Sequence, residues 1–154
     1  MANPFPFASG DVLTAAELNQ IGELQTWTPT FNFSSLGNGT YTAEYIQINE
    51  FVFFNFLWTL GSTSTVSSGV RFGLPVRATT PNGYLNCFVM ALDTSAAARH
   101  MGIAYLQESG DNARPAVYSA ANPTLRVSSS FHGSYPFTWA TGDQLYMTGS
   151  YRIA

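Results

Sequence analysis

The sequence predicts an all-β protein: an antiparallel β-sandwich of jelly-roll type with about nine strands, preceded by one short N-terminal helix. Three observations point there. From Trp27 onward, turn-forming clusters such as SSLGNG, GSTSTVSSG, TTPNG, ESGDN and AANP recur every roughly eight to twelve residues. The segments between them are rich in aromatic and β-branched residues that alternate with polar ones. The one stretch with a helix start, residues 10–23, lies ahead of all of them.

That helix is expected over residues 14–24. Thr14 and Glu17 form a capping box, in which the hydroxyl accepts from a backbone N–H of the first turn and the carboxylate reaches back to the cap's own N–H. Leu13 and Leu18 supply a hydrophobic staple, and Gly22, Trp27 and Pro29 stop the run. Helices shorter than about 12 to 15 residues are marginal in water unless an apolar stripe is covered, so Leu13, Leu18, Ile21 and Leu24 are expected to meet another surface. Residues 1–26 are therefore assigned to an attachment segment and 27–154 to the β domain. The alternative is that the helix closes one end of its own domain.

The strands follow in order. TWTPTFNF places Trp27, Pro29, Phe31 and Phe33 on one side, with Pro29 suggesting an edge. YTAEYIQI reverses at Asn49-Glu50 into FVFFNFLWTL. The run 61–69 reads as a turn before VRFGLPV, where Val70, Phe72, Leu74 and Val76 point inward and Arg71 and Arg77 outward. YLNCFVMAL, HMGIAYLQ, PAVYS and TLRVSSSF come next. The last strand, QLYMTGSYRI, sets Leu145, Met147, Tyr151 and Ile153 against Gln144, Thr148, Ser150 and Arg152.

Two strands depart from simple alternation. In 51–60 the even positions Val52, Phe54, Phe56, Trp58 and Leu60 fill one face, while Phe51, Phe53 and Leu57 make the other apolar as well. In 84–92, Tyr84, Phe88, Met90 and Leu92 oppose Leu85, Cys87, Val89 and Ala91. An antiparallel sandwich ordinarily wets one face of each sheet, so strands apolar on both sides need a second cover. Phe51, Phe53 and Leu57 are accordingly expected at an interface between identical subunits. The alternative cover is the loop 132–142, with Tyr135, Phe137 and Trp139.

Composition narrows the function. Of 154 residues, 10% are charged and 15% aromatic, and the net charge is −3. All six basic residues are arginines, scattered along the chain without a basic stripe, which argues against nucleic-acid binding. The N-terminus lacks the charged and apolar regions of a signal peptide, and no run reaches the ~18 apolar residues of a membrane span. Cys87, in an apolar run, reads as a small buried hydrophobe. His100 and His132 match no metal spacing, and no nucleophile elbow or phosphate-binding loop occurs. Glu44, Glu50, Asp93, Glu108, Asp111 and Asp143 are the carboxylates available to a glycosidase pair, but Asp111 and Asp143 sit beside glycines as turn formers. No enzyme activity, metal or cofactor is expected.

The stretch FASGDVLTAAELNQIGE resembles a recurrent N-terminal segment of tailed-bacteriophage tail and fibre proteins. The remainder, from WTPTF through GNGTYTAEYIQINEFVFFNFLWTLGSTSTVSSG and FGLPV to TGDQLYMTGSYRIA, is similar to the small β modules that follow it. The resemblance implies a virion structural protein made in the host cytoplasm. Its N-terminal segment would join other virion proteins, and its β module would be a homotrimeric tail fibre or tip element that binds a host cell-surface glycan. A capsid decoration or head-fibre protein is the second reading, and a carbohydrate-binding module the third. Counting strand reversals from Trp27 puts Asn38, Ser64, Arg99 and Asn122 in the receptor-facing loops; one strand more or fewer puts His132, Tyr135 and Trp139 there instead.

Overall fold

The computed structural model describes residues 22–79, 84–107, 110–118 and 127–153, together with residues 10, 12, 14 and 15. Among them are ten strands: β1 (Gln25–Thr26), β2 (Phe31–Ser35), β3 (Thr40–Ile48), β4 (Phe51–Thr59), β5 (Thr65–Gly73), β6 (Tyr84–Asp93), β7 (Ala98–Gln107), β8 (Asn112–Tyr118), β9 (Val127–Ser130) and β10 (Gln144–Arg152). Every pairing is antiparallel. All ten belong to one sheet in the order β1-β3-β4-β10-β6-β7-β8-β5-β2, with β9 added to β8. The all-β antiparallel expectation therefore holds, but one continuous sheet stands where two stacked jelly-roll sheets were expected.

The sheet curls so that its two limbs face each other. Phe56 on β4 and Phe72 on β5 are separated by four strands in the sheet order, yet their ring centroids lie 4.8 Å apart. The alternation explains the curl: one face of each strand is apolar, and rolling the sheet buries all those faces in a single core. Val52, Phe54, Phe56, Trp58 and Leu60 supply it from β4 and the residue after it, Leu85, Cys87, Val89 and Ala91 from β6, and Leu145, Met147 and Tyr151 from β10. Two glycines permit close approach of neighbouring strands. A Cβ on Gly102 would lie 1.9 Å from the Ala116 carbonyl oxygen, and one on Gly149 2.3 Å from that of Asn86. No side chain fits at either.

The free edges are joined by the segment read as one strand from Thr26 to Phe33. It divides into β1 and β2, which end the sheet on opposite sides, and residues 27–30 cross between them. Trp27 straddles the seam: its backbone N–H donates to Ala43 on β3 and its Nε1 to Gly73 on β5 at 3.0 Å. Its ring contacts Tyr45, Phe54 and Phe56. Phe31 closes the same seam against Tyr41, Phe56, Trp58 and Phe72. Pro29 is buried in this crossing rather than placed on a strand.

Two further expectations are corrected. Phe33 does not share the side of Trp27 and Phe31, because the β2–β5 ladder shifts register between Asn32 and Ser34 and Phe33 takes φ 56°, leaving it 58% exposed. The serine- and threonine-rich run 61–69 is only partly a turn, since β5 starts at Thr65. The helix assigned to 14–24 falls mostly outside the described residues. Of its last residues, Gly22 is in a turn and Glu23 and Leu24 are in no helix, and β1 begins at Gln25.

Candidate functional surfaces

The convex face of β3, β4, β10 and β6 carries the first candidate surface. Because side chains alternate along each strand, burying Val52, Phe54, Phe56 and Trp58 turns Phe51, Phe53, Asn55 and Leu57 outward. Phe51 is 51% and Phe53 48% exposed, and Leu57 is half-buried. Ile48, Phe88 and Met101 extend the exposed apolar surface across neighbouring strands. The loop offered as an alternative cover lies elsewhere: Tyr135, Phe137 and Trp139 pack against the core.

A groove of about 440 Å³ opens on this face. Pairing sets its shape. Phe53 faces Ser150, which faces Asn86, while Asn55 faces Thr148, which faces Phe88. Two phenyl rings thus stand either side of the short side chains of β10. Asn55 Oδ1 accepts from the Thr148 hydroxyl at 2.6 Å and the Tyr146 hydroxyl at 3.3 Å, fixing the floor. Leu24, 57% exposed, lines the rim, and Gly22 lies beside Ile46 and Ile48. Leu13, Leu18 and Ile21, the other members of the expected interface, lie outside the described residues.

The second surface is one end of the curled sheet. The turns 36–39, 61–64 and 94–97 and the segment 139–143 meet there. Asn38 Oδ1 accepts from the backbone N–H and hydroxyl of Thr63 at 2.9 and 3.0 Å, and its Nδ2 donates to Ser62 Oγ at 3.0 Å. Ser64 Oγ accepts from the Gly61 N–H and donates to the Leu36 carbonyl. Both residues, expected as ligand hydrogen-bonders, use these groups to lock the loops. Asp143, expected as a turn former, is buried and joins two loops: Oδ1 accepts from the Thr94 N–H and hydroxyl, and Oδ2 from the Ala140 N–H at 2.7 Å. The Ser95 hydroxyl beside Asp93, with the Ala96 N–H, holds that carboxyl below the ordinary aspartate range.

The aromatic loop reaches the same end, which brings Trp139 beside the loops that hold Asn38 and Ser64. The Leu60 N–H donates to the Asp143 carbonyl, and the Leu60 carbonyl accepts from the Gly142 N–H at the end of the loop. Trp139 lines a cavity of about 320 Å³ with Ser62, Ser64, Gly133 and Thr141. Its Nε1 donates to the Tyr135 carbonyl, and its ring meets Phe131 and Phe137. His132 stacks on Tyr135 at 5.6 Å. Arg99 is an exposed residue of β7 rather than of a loop, and Asn122 lies outside the described residues. Phe131, fully buried under this loop, was not singled out in the sequence because it ends a serine run.

The carboxylates are dispersed. Glu50 pairs with Arg152 and Asp111 with Arg77, Glu44 lines the convex groove, and Glu108 lies outside the described residues. Among the described residues, no helix is long and apolar enough to cross a membrane. No protein-family model, curated protein or solved structure matches the chain.

Proposed function

We propose that this chain is a homo-oligomeric structural protein of a tailed-bacteriophage virion, a tail fibre or tail tip element whose β modules associate through the convex face. One observation carries the reading: Phe51, Phe53, Phe88 and Met101 are all at least 42% exposed on one side of the sheet. Burying a large apolar side chain contributes about 1.5 to 3 kcal/mol, so a solitary protomer forgoes a substantial stabilisation that a neighbouring copy supplies. Three copies around an axis fit the resemblance to fibre modules. The sandwich-like facing of the two limbs gives each protomer the rigidity such a module needs. The N-terminal segment is the proposed junction to other virion proteins. The pole around Trp139 is the proposed surface for a host cell-surface glycan, with an indole ring and hydroxyls suited to a sugar.

The test is the mass of the full chain in solution, followed by its location in the particle by imaging. A trimer found at the tail supports the proposal. A trimer on the capsid moves it to decoration, and a monomer at micromolar concentration that binds cell-wall glycans makes it a carbohydrate-binding module.

A further inference from the structure

Opposite charges bound the convex face on its two sides. Glu44 on β3 faces Asn55, which faces Thr148, which faces Phe88, so the carboxylate opens the row that crosses the groove floor. At the far side, β7 turns Arg99 and Met101 outward, because Leu92 faces Arg99 and Met90 faces Met101 while Val89 and Ala91 between them enter the core. Among the described residues, the ion pairs join Arg77 to Asp111 and Arg152 to Glu50, and leave Glu44 and Arg99 unpaired. Arg99 is exposed, but Glu44 is half-buried against the groove, where a carboxylate without a cation is poorly compensated.

The same face holds a slot and a ridge. The slot is low because β10 offers only Thr148, Gly149 and Ser150 between the Phe53 and Phe88 rings. The ridge lies one strand beyond Phe88, where Met101 is 59% exposed, more than either ring. Slot and ridge of one protomer cannot meet. Nor can two convex faces set squarely together bring them into contact, since such faces touch only along their middle strands and hold Glu44 and Arg99 apart at the margins. An offset does, with β7 of one copy crossing the groove of the next.

Resting on the reading that copies of the chain associate through this face, we infer that they do so head to tail: Met101 of one protomer enters the groove of the next between Phe53 and Phe88, and Arg99 beside it pairs with Glu44. Methionine is unbranched and flexible, and its sulfur packs favourably on aromatic ring edges. The guanidinium supplies the partner that the carboxylate lacks. Arg99 stands about 7 Å along its strand from Met101 and Glu44 about 10 Å from β10 across two strands, a difference an arginine side chain covers. Such a contact joins two unlike patches, so each protomer offers its groove to one neighbour and its ridge to another. On a curled sheet the two patches point in different directions, which closes the series into a ring instead of a face-to-face pair.

Disulfide trapping in the full chain tests this, with Cys87, the single cysteine, changed to alanine. Under mild oxidation Met101→Cys combined with Ser150→Cys should give covalent products up to the closed ring on denaturing electrophoresis, whereas either change alone should stay monomeric. Charge reversal in the parent chain is an independent readout. Glu44→Arg and Arg99→Glu should each weaken self-association about tenfold by sedimentation, and the two together should restore it to within about threefold of the parent. Covalent dimers from either single cysteine variant, a double variant whose products stop at the dimer, or a charge-swapped pair that stays as weak as its single members overturns the head-to-tail contact. A chain that associates but gives those results loses this contact and keeps the convex-face reading; a chain that is monomeric throughout loses both.

Discussion

At the scale of single residues, burial decides chemistry. Cys87 sits on the core face of β6 at 5% exposure, and burial pushes its thiol from 9.0 up to about 12 despite hydrogen bonds from the fold. Tyr151, inward on β10 and donating to the Val76 carbonyl at 2.7 Å, is raised by the same cause. A raised pKa means that the folded protein holds the proton more tightly than the unfolded chain. The resulting stabilisation is complete below the unfolded value and drains away as pH rises through the folded one. Unfolding free energy should therefore fall between about pH 9 and 12, by up to about 4 kcal/mol from the thiol. Denaturant titrations across that window check this: Cys87→Ala should remove the thiol's share and leave that of Tyr151. A Cys87→Ala profile identical to the parent's would show that the thiolate is tolerated in the core.

At the scale of elements, the crossing between β1 and β2 holds the two sheet edges together. Trp27→Phe keeps an aromatic ring but deletes the Nε1 bond to Gly73, an expected loss of about 1 kcal/mol. Trp27→Ala also empties the seam between Tyr45, Phe54 and Phe56, an expected loss of about 3 kcal/mol. Chemical denaturation distinguishes the two, and a neutral Trp27→Ala would assign closure to Phe31 alone. Strand identity and inward faces were legible in the sequence wherever alternation was strict, as in β10, because the two-residue period of a strand is local information. Sheet order was not. That β1 and β2 lie at opposite edges depends on contacts across the core, and the count of reversals that separated the two sets of loops carried nothing about where the chain after Phe131 turns. The β2 irregularity was hidden for a related reason. Asn32, Phe33 and Ser34 alternate as a regular strand does, and only the pairing with β5 displaces Phe33. The start of β5 was masked by serines that read equally well as a turn, although Thr65 and Val66 are good strand formers.

At the scale of the whole molecule, the curl creates one buried and one exposed face from strands apolar on both sides, which separates stability from association. Phe51 and Phe53 share β4 with Val52 and Phe54, yet one pair is about half exposed and the other at most 3% exposed. Substitutions on the two sides should therefore have opposite signatures. The double variant F51S/F53S removes two apolar side chains from each copy's convex face. By their burial free energies it should weaken self-association at least about a hundredfold, seen as a fall in mass by sedimentation at fixed concentration. The same variant should change the unfolding free energy of the separated protomer by no more than about 0.5 kcal/mol, since exposed positions contribute little to the fold. Val52→Ser, one residue away on the core side, should instead destabilise by more than about 2 kcal/mol by placing a hydroxyl in an apolar interior. Arg114→Gln, on the other limb, should leave the mass unchanged. Retention of the full mass by F51S/F53S would remove the convex face as the contact between copies.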